Sequence, residues 1–94
     1  MKLNNELAQS KQAEEAANMR RLWCHVINVL LSDARRDDTD GRHARSWLRH
    51  PDPLVLELAG LEPAAARPVL RVIADDAEAA LQAAQQPAVV KLAA

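Results

Sequence analysis

Tyrosine and phenylalanine are absent from this chain, and its 94 residues include only two glycines, five prolines and one cysteine. An all-β fold needs frequent turn residues and strands rich in aromatic and β-branched side chains, so these shortages exclude it. Cys24 on its own can make neither an intrachain disulfide nor a cysteine-rich zinc site. No glycine-rich phosphate loop and no serine elbow is present. Apolar runs such as Val29-Leu30-Leu31 are far too short to cross a bilayer. Asn4, Asn5 and Glu6 interrupt any signal-peptide core after Met1-Lys2, so the cytoplasm is the expected compartment and no membrane partner is expected.

What is present is alanine and helical periodicity. Apolar residues make up 49% of the chain, much of it alanine. Alanine favours helices but buries little area, which implies closely packed helices around a thin core. A chain of this length makes one domain, too small to enclose a deep substrate pocket. Residues 1–36 lack glycine and proline, and apolar residues fall at 19, 22, 23, 26, 27, 30, 31 and 34. This spacing predicts a firm helix over about 14–36, with residues 1–13 frayed or disordered. Asp37 to Gly41 reads as a loop, with Thr39 or Asp40 capping a short helix that Pro51 stops. That helix presents Ala44, Trp47 and Leu48 on one face. Asp52-Pro53 opens a third helix with Leu54, Val55 and Leu58 facing inward, and Gly60 ends it. A last long helix follows Pro63, with Ala66, Val69, Leu70, Ile73, Ala77, Leu81 and Ala84 as its apolar stripe. Pro68 predicts a kink or restart within it. The helical domain spans 14–86, and 87–94 is a short C-terminal tail. The expected fold is all-α: two short helices between two long ones, with a helix-turn-helix-like corner at 52–70. Trp23 and Trp47 are expected to be the large anchors of one core with Val26, Leu48 and Leu58.

Charged residues make up 27% of the chain and nearly cancel, at net −1, but they are unevenly placed. Residues 20–50 carry seven arginines against four aspartates, whereas 51–94 carry three cations against six acids. Arg42, Arg45 and Arg49 fall at i, i+3 and i+7, with Arg35 close by in sequence. Such a stripe can track phosphates or meet an acidic protein surface. The corner adds Arg67 and Arg71, the only side chains of its second helix suited to reading base edges. These six arginines are the candidate nucleic-acid contacts. Cys24 and His25 point about 100° apart on a helix and cannot share a metal or form a catalytic pair. His43 and His50 have no nearby acid or cysteine to complete a ligand set. No catalytic residue, metal or cofactor is expected.

The pattern Leu22-Trp23-xx-Val26, Asp33-Ala34, Ala44-xx-Trp47-Leu48 and Leu58-Ala59-Gly60-Leu61-x-Pro63-xxx-Arg67 resembles a family of small proteins encoded in bacteriophages, prophages and related mobile elements of proteobacteria. It covers roughly residues 20–70. The resemblance implies a shared helical fold and, through the helix-turn-helix-like segment, DNA binding. Here Glu62, Ala66 and Pro68 depart from the family's usual pattern. The expected function is therefore nucleic-acid binding, mainly by phosphate contacts. The rival expectation is a phage-type inhibitor or adaptor, of the anti-CRISPR kind, that meets a host protein. A homodimer is compatible with either.

Overall fold

The computed structural model describes the backbone of residues 2–85 and the side chains of residues 8–85. The fold is all-α, with helices α1 (Lys2–Asp33), α2 (Thr39–Arg49), α3 (Pro53–Leu58) and α4 (Pro63–Gln85). Two long helices flank two short ones. The stretch 87–94, expected as a tail, lies outside the described residues.

α1 begins well before residue 14, because Glu, Gln, Lys, Leu and Ala fill its first turns with no glycine or proline to interrupt them. Its helical hydrogen bonds end near Ala34 rather than residue 36, where Arg36 N–H turns back to the Asp33 carbonyl at 2.9 Å. The cap of α2 is Asp38, not Thr39 or Asp40: its carboxylate accepts from Gly41 N–H at 2.9 Å. Asp52 caps α3 as expected, accepting from Leu54 N–H at 2.9 Å, with Pro53 in the first turn. Gly60 at φ 80° ends α3 in a left-handed turn. Leu61 N–H then bonds the Leu56 carbonyl, and Gly60 N–H the Glu57 carbonyl, which is the Schellman arrangement. α4 runs without a restart through Pro68.

The core is Ile27, Ala34, Ala44, Leu48, Leu56, Ala59, Leu70 and Ala74. Half of these are alanines, so the helices approach closely and the buried volume is small. Leu48 and Leu56 are its largest fully buried side chains. Within α3 the inward residue is therefore Leu56, with Leu54 exposed and Val55 and Leu58 half-buried. The tryptophans are half-buried too, packed on the rim of the core rather than at its centre. α2 packs chiefly on α4 and α1, whereas α1 and α4 make almost no direct contact. The outcome is an elongated molecule. Its radius of gyration is 19.7 Å and its longest extent 79 Å, against a radius of about 12 Å for a compact domain of this length.

Candidate functional site

The six candidate arginines do not form one face. Arg45 is buried, and its Nη1 donates to the carbonyls of Ala34 and Arg36, each at 2.9 Å. It closes the C-terminal end of α1, where unpaired carbonyls and the helix dipole both favour a cation. On a helical wheel Arg45 lies only about 60° from Leu48, so it borders the core instead of opposing it. Arg49 is half-buried and bridges α2 to α4, donating from Nε to Asp75 at 3.0 Å and from Nη2 to Glu78. Those two carboxylates hold its guanidinium pKa above the ordinary arginine value. Arg42 is exposed and reaches Thr39 Oγ1 at 3.2 Å. Arg35 stands at the mouth of a groove between α1 and α4, and Arg67 and Arg71 flank a second concavity beside Arg49 and His50.

The loop between α1 and α2 holds a charge network. Arg36 donates to Asp38 from Nε at 2.9 Å and Nη2 at 2.6 Å, with Asp33 and Asp40 within 4.0 Å. The Asp38 carboxyl is pulled below the usual carboxylate range, first by the Gly41 N–H and then by Arg36. A depressed folded-state pKa adds stability above the unfolded value, and that stability disappears as pH falls through the folded value. The chain should lose stability on acidification, and Asp38→Asn should lose less over the same interval. Urea midpoints of both proteins at neutral pH and near about pH 3 test this. Parallel pH profiles would refute it.

The surface between α1 and α4 is different in kind. Leu31, Ile73, Ala77, Ala80 and Leu81 form the apolar walls of a groove of about 580 Å³, with Arg35 and Asp76 among its lining residues. It exists because α2 wedges the two long helices apart at one end. α4 continues the apolar surface along its outer side, where Val69 and Val72 remain 57% and 56% exposed. Val69, Val72, Ile73 and Ala80 lie within about 100° of the helix circumference. The sequence stripe includes Val69 as inward, but the structure turns it out, because Leu70 and Ala74 take the core side.

Other reactive side chains stay apart. Cys24 Sγ lies 3.2 Å from the Ala59 carbonyl, to which it donates, and His25, His43 and His50 are exposed. Among the described residues, no three His, Cys, Asp or Glu side chains group to hold a metal, and no helix is long and apolar enough to cross a membrane. No protein-family model matches the chain, and neither a curated protein nor a solved structure matches it.

Proposed function

We propose that this chain is a protein-binding module that receives an amphipathic segment of a partner in the groove between α1 and α4. The observation that carries the reading is a division of surfaces. Two of the six arginines expected on phosphates are taken up within the fold, Arg45 by carbonyls and Arg49 by carboxylates, leaving Arg35, Arg42, Arg67 and Arg71 exposed on no single face, while an apolar groove and the outer side of α4 stay open. A groove with hydrophobic walls and a charge of each sign suits a helix presenting an apolar face and polar flanks. Such a partner could be a host protein that the chain inhibits or links to another. The likeness of residues 20–70 to mobile-element proteins is in keeping with that role.

Nucleic-acid binding is a second reading, favoured by one observation: Arg67 and Arg71 share a concavity with His50 and Arg49. Opposing it, Asp75 and Glu78 already neutralise Arg49, and Asp52, Glu57 and Glu62 lie exposed along the corner. The two readings separate in one pair of assays. Affinity capture from a host lysate, followed by reconstitution with the purified captured protein, should yield binding that Ala80→Arg abolishes. Ala80 is exposed, so the substitution fills the groove without disturbing the core. Anisotropy with random duplexes at low salt should show no binding. Salt-sensitive duplex binding that is lost in Arg67→Ala with Arg71→Ala, and unaffected by Ala80→Arg, would reverse the assignment.

A further inference from the structure

The concavity beside the corner has charge of one sign in its lining. Arg49 and His50 at the end of α2 and Arg67 and Arg71 of α4 border a space of about 800 Å³. No acid is among its lining residues, although residues 51–94 carry six acids against three cations. The cations are not equivalent. Arg49 is neutralised by Asp75 and Glu78. Arg67 and Arg71 are exposed, and neither has an ion-pair partner among the described residues. They stand one turn apart on α4, where such neighbours have Cβ atoms about 5–6 Å apart, so both guanidinium forks reach a group placed between them. His50, from α2, adds a ring N–H donor to the same lining.

This set matches a phosphate monoester. Near neutral pH such a group carries about −1.5 to −2 charges and three acceptor oxygens. Arg67 and Arg71 supply two positive charges, and their forks together with the imidazole supply donors for three oxygens. A carboxylate has one charge and two oxygens, which a single arginine fork satisfies, so it would leave the second arginine unmatched. A polyanion fits less well. Asp52, Glu57 and Glu62 are exposed along the corner, and Asp75 and Glu78 stand against Arg49. A duplex that set one phosphate here would carry the next ones toward those acids, and the repulsion would offset part of the gain. The rest of the lining is uncharged. Pro68 and Val72 lie exposed beside the arginines and offer apolar surface to the body of a ligand.

We propose that this concavity binds a small phosphomonoester with an apolar or aromatic body, its phosphate held by Arg67, Arg71 and His50 and its body laid on Pro68 and Val72. The inference goes beyond the protein-binding reading and does not rest on it, since no residue lines both this concavity and the groove between α1 and α4.

Titrating the nitrogen-15-labelled full chain with phenyl phosphate, at neutral pH and about 0.15 M salt, should shift the signals of Arg67 and Arg71 saturably. Inorganic phosphate should shift the same signals with weaker affinity, and phenol should shift none. Arg67→Gln combined with Arg71→Gln should weaken phenyl phosphate at least about tenfold, since each removes a charge-assisted hydrogen bond. Both side chains are exposed, so helical circular dichroism should be retained. Arg35→Gln with Arg42→Gln removes the same charge from other faces and should leave the affinity unchanged. Shifts that do not saturate, shifts spread over arginines of every face, or an equal loss in the Arg35 and Arg42 pair would overturn the proposal. A phosphotyrosine peptide and a random duplex test the other sources of the same group. Either one binding through Arg67 and Arg71 far more tightly than phenyl phosphate would overturn it too, by giving the site to a phosphorylated protein or to nucleic acid. Ala80→Arg should bind phenyl phosphate as the parent does, so failure to capture a protein partner bears on the groove alone.

Discussion

Replacing Gly41 with alanine is expected to cost about 2–3 kcal/mol of folding stability, although alanine is the better helix former by about 1 kcal/mol. Gly41 is buried in the first turn of α2, which crosses the C-terminal end of α1. A methyl group there would overlap the Arg36 carbonyl oxygen and stand 2.7 Å from its carbon and 3.0 Å from the Asp33 carbonyl oxygen. These atoms are backbone, so no side-chain rotation relieves the overlap. The two helices would have to separate, taking Ala44 and Arg45 from Ala34. Urea unfolding of the Gly41→Ala variant should show a midpoint lowered by about 2 M. That is a large share of the roughly 5–15 kcal/mol that holds a domain together. An alanine variant as stable as the parent would show that the helices do not meet this closely. Gly60 offers the contrast. Its added methyl meets only the flexible side chain of Arg20, so Gly60→Ala should cost about 1–2 kcal/mol, chiefly from the left-handed backbone.

Arg45→Met is expected to destabilise the chain by a comparable amount, about 2–3 kcal/mol. Two opposing effects set the size. Removing the guanidinium relieves the desolvation of a buried charge, which favours the variant. It also strips the carbonyls of Ala34 and Arg36 of their donor and removes a cation from the negative end of a 32-residue helix. An orphaned buried carbonyl costs about 1–3 kcal/mol, and the charge at a helix end contributes up to about 2 kcal/mol, so the losses outweigh the relief. Arg45→Lys keeps the charge but has no planar fork to span two carbonyls, and its loss should be intermediate. Thermal melts and urea midpoints of the three proteins would measure the order. A methionine variant equal to the parent would mean that water or a neighbouring group satisfies these carbonyls.

The two effects share a cause. α1 has no glycine or proline to end it; Arg45 of α2 donates to the carbonyls of Ala34 and Arg36 at its end, while Gly41, held by the Asp38 cap, lets the first turn of α2 approach it closely. The α1–α2 junction is where the chain is least tolerant of change. Ala80 in the groove accepts a charged substitution because its side chain is exposed.

The helices themselves were legible because their signals are local. The apolar spacing in α1, the Asp52-Pro53 start of α3, Gly60 and the all-α class each depend on neighbours a few residues away. The inward face of α2 was legible as well, since Ala44 and Leu48 are buried where the spacing placed them, but that of α3 was not. A six-residue helix spans less than two turns, so Leu54, Val55 and Leu58 read as well as Leu56 and Ala59, and only docking against α1 and α4 chose the latter. The arginines failed for a related reason. Spacing places Arg42, Arg45 and Arg49 on one side of α2, but an arginine's reach exceeds the width of a helix. Whether its guanidinium meets solvent, a carbonyl or a carboxylate depends on what the fold brings near: the end of α1 for Arg45, and Asp75 and Glu78, 26 and 29 residues away in sequence, for Arg49. The groove is tertiary throughout, since Leu31 and Ile73 line one space only because α2 separates the helices that carry them. Local sequence thus determined the helices and most of their ends, through backbone propensity and capping. The arrangement of charge and open apolar surface was decided by packing, because long-range contacts select among faces that the sequence leaves nearly equivalent.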